Sequence, residues 1–361
     1  MSTISLRGLT KSFGKLKAVD AVDLDVGAGE VVCLLGPSGC GKTTTLRMIA
    51  GLEGASAGDV MVAGRRVNEL APSERDVAMV FQFYALYPSL TVKENLAFPL
   101  LAERLPAAVV EERVMRVART LDLTGVLGRI PGRLAEGEKQ RVAVGRAIVR
   151  DPNCFLFDEP LSRLDVELRQ EMRGKIKEVL QGLSKATVIV THDQLEALTM
   201  ADRIAVMRAG RIEQAASPHE IFAKPANLFV AGFIGTPQMN LLDAAYVGEE
   251  GRLGRFRVDA QEIRLPLAAT RDALAPGAKV TLGIRPRAFD LASEPDPGTL
   301  GAEADLIEPM GAETLVHGAD AGRDIRVVVP RGARVRAGQR LHLRPKPGGV
   351  HVFDDSGRRV T

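Results

Sequence analysis

Gly36-Pro-Ser-Gly-Cys-Gly-Lys-Thr43 is the most informative motif for the fold of this chain. It matches the phosphate-binding loop pattern G-x-x-x-x-G-K-[ST] and lies between a continuous apolar run, Val31 to Leu35, and a helix-like stretch, Thr43 to Ala50. Glycines let backbone N–H groups converge on phosphate oxygens, and the following helix offers its positive amino-terminal end. We therefore predict a nucleotide site in which Lys42 contacts the β- and γ-phosphates and Thr43 supplies a hydroxyl to Mg²⁺.

Two adjacent carboxylates end a second apolar run, Cys154-Phe-Leu-Phe-Asp158-Glu159. Burying two acids side by side is costly unless a cation or a reacting water uses them. We predict that Asp158 belongs to the Mg²⁺ shell and that Glu159 is the general base for the attacking water. Such a pair on its own is more often a solvated loop, so this interpretation depends on the phosphate-binding loop. Gln82 and His192, which follow other apolar segments, are unspecific when taken alone.

Strand and helix patterns alternate along the first two thirds of the chain. Residues 1–32 alternate apolar and polar positions and predict antiparallel strands. Cys154 to Phe157 and Thr187 to Val190 are short apolar runs typical of strands buried on both faces, and segment 167–183 between them has helical spacing. Residues 86–152 predict a mostly helical insertion. These patterns predict a parallel α/β core with an antiparallel β subdomain.

The pattern changes near residue 237, which divides the chain into predicted domains 1–237 and 238–361. The second range contains short apolar segments, frequent glycines and prolines, and few helical runs. This is typical of a small all-β domain or barrel. Its clearest strand segments are Lys279 to Gly283, Ile325 to Val329, Gln339 to Leu343 and Val350 to Phe353.

Composition excludes several classes of function. A net charge of +3 over 361 residues is too small to indicate a nucleic acid partner. The three cysteines, Cys33, Cys40 and Cys154, do not form a disulfide framework and are expected to be reduced. No window approaches the roughly 20 uninterrupted apolar residues of a spanning helix, so membrane contact is expected only through a partner.

Taken together, these motifs resemble those of ABC transporter ATPases, and the resemblance covers essentially the whole chain. It implies ATP and Mg²⁺ as cofactors. Gln82 matches the Q-loop glutamine that contacts Mg²⁺ and senses the permease, and His192 matches the switch histidine on the γ-phosphate; with Glu159 they form the expected catalytic set. Asp165, in Leu161-Ser-Arg-Leu-Asp165, matches the D-loop. Phe13 matches the aromatic that stacks on adenine, or is a strand aromatic packed in a core. The residues assigned to the nucleotide are Phe13, Gly36, Ser38, Gly39, Cys40, Gly41, Lys42, Thr43 and Thr44, and those assigned to the metal are Thr43, Gln82 and Asp158.

Longer matches are similar to importer ATPases of the maltose and glycerol-3-phosphate type, in which the C-terminal region forms OB-like regulatory barrels. The resemblance implies uptake of a small solute such as a sugar, a polyol or one of their phosphates. It also implies two membrane permease subunits, an extracytoplasmic solute-binding protein and a place on the cytoplasmic face of the membrane. An ABC ATPase acting on ribosomes or DNA repair complexes is disfavoured, because the chain has one cassette and no long coiled-coil insertion. The matching stretches are Val80 to Pro88, Thr191 to Ala197, Pro225 to Gly235, Gly283 to Pro286 and His351 to Asp354.

One loop departs from the family pattern. The family's signature reads Leu-Ser-Gly-Gly-Gln, whereas this chain has Leu134-Ala135-Glu136-Gly137-Glu138. In the family this loop closes in trans over the γ-phosphate held by the opposite subunit. Here the serine hydroxyl is lost, and the added carboxylates repel a polyphosphate. This departure leads to the hypothesis of a heterodimer with a second, different ATPase subunit. The alternatives are a homodimer with a tolerated variant loop and a regulatory nucleotide-binding subunit, against which the intact Glu159 and His192 argue.

Overall fold

The computed structural model describes residues 2–182, 184–251, 253–259, 261–266, 274–320 and 322–360. The chain forms two compact units, Met1–Pro218 and His219–Thr361. This division precedes the boundary predicted from the sequence between residues 237 and 238, and that boundary stays a prediction.

The first unit contains two β-sheets. Its strands are, in chain order, β1 (Ser2–Phe13), β2 (Leu16–Gly27), β3 (Val31–Leu35), β4 (Ala57–Val62), β5 (Arg65–Arg66), β6 (Val77–Val80), β7 (Cys154–Asp158), β8 (Ala186–Thr191), β9 (Arg203–Arg208) and β10 (Arg211–Ala216). One sheet has the order β2-β1-β4-β5 and is antiparallel, as the alternation in residues 1–32 predicts.

The other sheet of the first unit has the order β10-β9-β3-β8-β7-β6. Its neighbouring pairs from β9 to β6 are parallel, and only the edge pair β9 and β10 is antiparallel. Strands β3, β7 and β8 are buried at every position, which explains why each is an unbroken apolar run. The predicted parallel α/β core is therefore confirmed.

The helices of the first unit are α1 (Lys42–Ala50), α2 (Val92–Ala97), α3 (Ala107–Thr120), α4 (Glu136–Ile148), α5 (Val166–Gly182) and α6 (Gln194–Met200). Helix α2 begins at a capping box, in which the Glu94 amide donates to the Thr91 hydroxyl and the Thr91 amide donates to the Glu94 carboxylate. Helices α2 to α4 form the predicted helical insertion. Helix α5 corresponds to the helix predicted over 167–183, of which Leu183 lies outside the described residues.

The second unit is mostly β-structure. Two short helices, α7 (Pro218–Ala223), which begins one residue before the division, and α8 (Leu228–Phe233), precede two antiparallel sheets with the orders β13-β12-β11-β14-β20 and β15-β19-β16-β17-β18. Their apolar faces share one core, with Phe256, Leu282 and Leu343 among its fully buried members. The strands are β11 (Asn240–Glu250), β12 (Leu253–Val258), β13 (Gln261–Pro266), β14 (Lys279–Ile284), β15 (Phe289–Ala292), β16 (Leu300–Pro309), β17 (Glu313–Asp320), β18 (Arg323–Pro330), β19 (Arg340–Pro345) and β20 (Val350–Phe353).

The cysteines are free and buried, as expected. Burial raises the pKa of the Cys154 thiol to about 12, so this side chain acts as a small apolar core residue. Among the helices that the structure describes, none has both the length and the apolar character needed to cross a bilayer.

Candidate functional site

Four neighbouring parallel strands end at one edge of the central sheet, and predicted site residues follow each of them. The phosphate-binding loop follows β3, Gln82 follows β6, Asp158 and Glu159 lie at the end of β7, and His192 follows β8. Because the carboxyl ends of parallel strands meet at the same edge, the topology gathers residues that are far apart in the sequence.

The loop between β3 and α1 requires glycine at two positions. Gly41 has a φ of 106°, and a Cβ atom there would lie 2.3 Å from the carbonyl oxygen of Ala18. A Cβ atom at Gly36 would lie 2.3 Å from the carbonyl oxygen of Met207. Any side chain at these positions would displace the backbone. Ser38 and Gly39 form the exposed tip of the loop, whereas Cys40 is buried, and the chain enters α1 directly after Gly41.

Lys42 is buried against its own loop. Its ammonium group donates to the carbonyl oxygens of Gly36, at 2.8 Å, and Pro37, at 3.0 Å, and lies 3.7 Å from the Cys40 sulfur. Backbone carbonyl groups thus hold the ammonium charge beside the amino-terminal turn of α1. Thr43 and Thr44 in this turn are half-buried. This arrangement concentrates positive potential where an anionic ligand would enter the loop.

Thr43 and Asp158 place two hard oxygen ligands side by side. The Thr43 hydroxyl donates to the Asp158 carboxylate at 3.1 Å, linking the first turn of α1 to the end of β7. Burial raises the pKa of Asp158, and the hydrogen bond from Thr43 opposes that shift. No cluster of three or more histidine, cysteine or acidic side chains among the described residues could hold a metal alone. The oxygens fit Mg²⁺, which prefers one or two protein carboxylates together with phosphate oxygens and water.

Glu159 is the centre of a second group of contacts. Its carboxylate accepts a hydrogen bond from the Gln82 side-chain amide at 3.0 Å and lies 3.2 Å from Nδ1 of His192. Its backbone is left-handed, with a φ of 47°, and its amide donates to the Val190 carbonyl at 2.9 Å. A non-glycine residue in this conformation is strained, and such strain concentrates at functional sites. These contacts fix the orientation of the Glu159 carboxylate at the edge of the sheet.

Sequence reasoning missed the residues that hold this group in place. The Ser162 hydroxyl donates to the Glu159 carbonyl at 3.1 Å and lies 3.5 Å from the Gln82 side-chain nitrogen. The buried Glu196 accepts a hydrogen bond from the Thr191 hydroxyl at 2.7 Å and so fixes the segment that carries His192. Ser162 lies within the D-loop match and Glu196 within the matching stretch Thr191 to Ala197, so a signal for both was present in the sequence.

Phe13 and Asp165 lie apart from these contacts. Phe13 ends β1 with about half of its surface exposed, and the Lys11 ammonium lies 4.9 Å from its ring centroid. An exposed ring agrees with a stacking surface better than with a packed core aromatic. The Asp165 carboxylate accepts a hydrogen bond from the Leu168 amide at 2.9 Å and thereby caps the start of α5.

The signature residues form the start of α4. Leu134 is buried, and a Cβ atom at Gly137 would lie 2.7 Å from the Leu168 side chain. The Glu138 carboxylate accepts a hydrogen bond from the Ala135 amide at 2.8 Å, while the Glu136 carboxylate pairs with the Lys139 ammonium at 2.7 Å. Lys139, followed by smaller effects of Tyr84 and Arg163, lowers the pKa of Glu136. Both carboxylates therefore have partners within the chain, and no hydrogen bond among the described residues joins this segment to the phosphate-binding loop.

The segment after Gln82 carries three aromatic side chains. Phe83 is 67% exposed, and the Arg163 guanidinium lies 4.1 Å from its ring centroid. Tyr87 packs on Phe98, with ring centroids 4.3 Å apart. Tyr84 is half-buried with a left-handed backbone, and burial, reinforced by Glu136, raises its pKa to about 12. Among the described residues, its buried hydroxyl has no hydrogen-bond partner of good geometry.

Comparison with known proteins places this geometry in a family. The ABC transporter family matches residues 19–162, the MalK OB fold domain matches residues 235–289, and the TOBE domain matches residues 282–353. The chain is 45% identical over 362 residues to the sn-glycerol-3-phosphate import ATP-binding protein UgpC of Cereibacter sphaeroides, covering 100% of both chains. It is 43% identical to the sulfoquinovosyl glycerol transport ATP-binding protein SmoE of Agrobacterium fabrum, covering 99% of both chains.

Solved structures agree with the fold of the first unit. The dimeric structure of a post-hydrolysis state of the ATP-binding cassette MJ0796, bound to ADP and Pi, is 29% identical and superposes with a TM-score of 0.54. The match covers 60% of this chain and 98% of that one. The sequence resemblance and the predicted fold class are thus confirmed. This chain belongs to the ABC transporter family as an ATP-binding subunit of the carbohydrate-importer type, in which ATP hydrolysis is coupled to transport.

Proposed function

We propose that this chain energises uptake of a small solute, namely a sugar, a polyol or one of their phosphates, from the cytoplasmic face of the membrane. Its partners are two membrane permease subunits and, through them, an extracytoplasmic solute-binding protein. The names of its relatives support this cargo class, since they are import proteins for sn-glycerol 3-phosphate and sulfoquinovosyl glycerol. The observation that carries the motor function is the contact of Glu159 with both Gln82 and His192, beside Thr43 and Asp158.

Nucleotide binding is assigned to the loop and the first turn of α1. Backbone N–H groups of residues 38–44 and the Lys42 ammonium bind the phosphates, and the exposed Phe13 ring stacks on adenine. Thr43, Asp158 and Gln82 would hold Mg²⁺, which neutralises charge on the phosphate oxygens. A cation beside the buried Asp158 carboxylate would offset the cost of its burial.

Glu159 is assigned as the general base. Its carboxylate accepts a proton from the attacking water, and Gln82 and His192 fix its direction from two sides. His192 is half-exposed and can turn toward the γ-phosphate. Because Glu159, Gln82 and His192 are all present, they argue against the alternative of a purely regulatory nucleotide-binding subunit.

A deletion strain tests the proposed function. Loss of this gene should abolish uptake of one radiolabelled solute among sn-glycerol 3-phosphate, sugars and polyols, and the wild-type gene should restore it. Uptake of every tested solute of this class at the wild-type rate would contradict the cargo proposal. Basal ATP hydrolysis by the purified chain tests the motor assignment separately.

Coupling to the permease is assigned to the segment from Gln82 to Pro88. A cavity of about 350 Å³ opens beside it, lined by Tyr84, Tyr87, Phe98 and Arg146 among others. The Arg146 guanidinium donates to the Ala85 carbonyl oxygen and lies 4.8 Å from the Tyr87 ring centroid. An exposed aromatic beside such a cavity suits a partner helix.

Replacing Phe83 with aspartate should therefore reduce transport much more than ATP binding. A charge at a 67% exposed position leaves the fold intact but opposes burial under a partner. We expect transport to fall about tenfold or more and ATP affinity to change by less than about threefold. Uptake into proteoliposomes measures transport, and nucleotide titration of the purified chain measures ATP affinity.

Leu306→Asp, at a 52% exposed position of the second unit, is the matched control. Normal assembly and transport with Phe83→Asp would remove this residue from the docking surface.

We further infer that the closed dimer pairs this chain with a second, different ATPase subunit. The Ala135 side chain has no hydroxyl to donate to a phosphate, and losing one such hydrogen bond costs about 1.5–3 kcal/mol, or about ten- to a hundredfold. A homodimer would lose it at both sites, whereas a heterodimer keeps one complete site. The partners of Glu136 and Glu138 within the chain weaken the repulsion part of this argument and favour the homodimer alternative.

Counting ATPase chains decides between the two dimers. The transporter, purified through a tagged permease, should contain two different ATPase species by mass spectrometry. Ala135→Ser combined with Glu136→Gly should then raise ATP turnover about twofold or less, whereas a homodimer would gain about tenfold or more. Two copies of this chain with brisk turnover would contradict the heterodimer.

A further inference from the structure

A cavity of about 350 Å³ lies within the second unit, away from the residues assigned to nucleotide and coupling. It is bounded by the end of α7, the segment at Thr236 and Pro237, the turn that follows β14, and the turn between β19 and β20. Its walls include Phe222, Pro237 and Pro286, and three cations reach it: Arg285, Arg287 and Lys346. A volume of this order accommodates a small ligand.

The three cations differ in how their charge is balanced. Arg287 forms an ion pair with Glu313 at 2.7 Å, and Lys346 lies 3.5 Å from Asp290. Arg285 is only 8% exposed and forms no ion pair with a carboxylate among the described residues. Burying a cation without a paired anion costs free energy, so the positive charge of Arg285 must be stabilised in another way.

The backbone explains part of this arrangement. The Arg285 guanidinium donates to the carbonyl oxygens of Phe222, at 2.7 Å, and Ile234, at 2.8 Å, at the ends of α7 and α8. It also stacks on the Phe222 ring at 3.6 Å. These contacts use two of its five N–H groups, and its Nε is buried with no partner in the described structure. Arg285 therefore caps the two helices and still has N–H groups that can donate beside the cavity.

Two further side chains, His351 and Arg359, interact electrostatically near Arg285, and only Arg359 adds positive charge. Gly283 pairs with His351 and Ile284 with Val350 across β14 and β20, so Arg285 and His351 lie on the same face of the sheet. His351 is 7% exposed, and its Nδ1 and the Nε of Arg359 are buried without a hydrogen-bond partner among the residues that the structure describes. Burial, together with Arg359 and Arg285, lowers the pKa of His351 to about 4, which keeps this imidazole neutral.

We propose that this cavity binds a small organic anion, a phosphate monoester or a carboxylate, whose charged group contacts Arg285 and Lys346 and whose carbon skeleton lies against Phe222 and the proline walls. Cations at one side and apolar rings at the other match such a ligand in both charge and shape. The site lies in the second unit, so its occupancy can be measured independently of ATP hydrolysis.

Three probe compounds test separately how the charge and the ring of a ligand contribute to binding. Phenyl phosphate carries charge and ring, inorganic phosphate carries charge alone, and benzyl alcohol carries the ring alone. In isothermal titration of the full chain with excess Mg²⁺-ADP, phenyl phosphate should bind about tenfold more tightly than inorganic phosphate, and benzyl alcohol should not saturate. No saturable binding of phenyl phosphate, or equal binding of benzyl alcohol, would overturn the proposal.

Variants locate the binding. Lys346→Gln should weaken phenyl phosphate binding about three- to tenfold, whereas Lys279→Gln, which removes a charge on β14 outside the cavity lining, should have no effect. Arg285→Gln should abolish binding, and Lys346→Gln keeps the test decisive if Arg285→Gln fails to fold. Phenyl phosphate should also shift the NMR signals of the His351 ring. Unchanged His351 signals, equal effects of the two lysine variants, or loss of binding in Lys42→Ala, which would point to the phosphate-binding loop, would contradict this site.

Discussion

Replacing Glu159 with glutamine should lower ATP turnover by about a hundred- to ten-thousandfold, the usual contribution of a general base. Glutamine keeps the size of the side chain and can still contact Gln82 and His192, which lie 3.0 Å and 3.2 Å from the carboxylate oxygens. It cannot accept a proton from water at neutral pH. Because the phosphate contacts come from the loop and from Lys42, nucleotide affinity should change by less than about threefold.

Turnover is measured with the complete transporter, and affinity by titration with Mg²⁺-ATP. The variant should also accumulate as a closed, ATP-bound dimer, since binding continues while hydrolysis stops. Glu112→Gln is the control, because this carboxylate is exposed on α3 and pairs with Arg116 at 2.6 Å. Equal turnover in wild type and Glu159→Gln would remove Glu159 from the role of base.

The central sheet could be predicted because its signals are local. Strands β3, β7 and β8 are unbroken apolar runs, and the phosphate-binding loop between β3 and α1 has a fixed spacing. The parallel order of the strands then determines that residues at their carboxyl ends meet. Gln82 is unspecific by itself, and the family resemblance rather than the strand order grouped it with Glu159, whose carboxylate its side chain contacts.

The remaining features of the site depend on long-range contacts, which no local sequence pattern encodes. The left-handed backbone of Glu159 is held by the Val190 carbonyl on the neighbouring strand, and the stacking of Arg163 on Phe83 joins segments 80 residues apart. From the sequence, Glu138 looks like a free charge, whereas in the structure its carboxylate accepts a hydrogen bond from the Ala135 amide. An acid three residues after a helix start is half of a capping box, so this contact was within reach of sequence reasoning.

Replacing Lys42 with alanine should act on binding rather than on the chemical step alone. The ammonium is buried in the loop, where it donates to the Gly36 and Pro37 carbonyl oxygens and lies close to the Cys40 sulfur. An anion entering the loop would gain a charge-assisted hydrogen bond from it, worth about 1.5–3 kcal/mol. We therefore expect ATP affinity to fall about ten- to a hundredfold and turnover to fall with it.

Equilibrium titration with Mg²⁺-ATP measures this loss, and thermal unfolding without nucleotide shows whether the variant folds. Lys185→Ala is the matched control, because Lys185 precedes β8 at the opposite edge of the sheet, where it pairs with Asp151 at 3.0 Å. That variant should bind ATP as the wild type does. Since Glu159→Gln is expected to spare ATP affinity and Lys42→Ala to lower it about ten- to a hundredfold, the two variants separate binding from hydrolysis. Wild-type affinity in a folded Lys42→Ala variant would mean that the backbone of the loop holds the phosphates without the lysine.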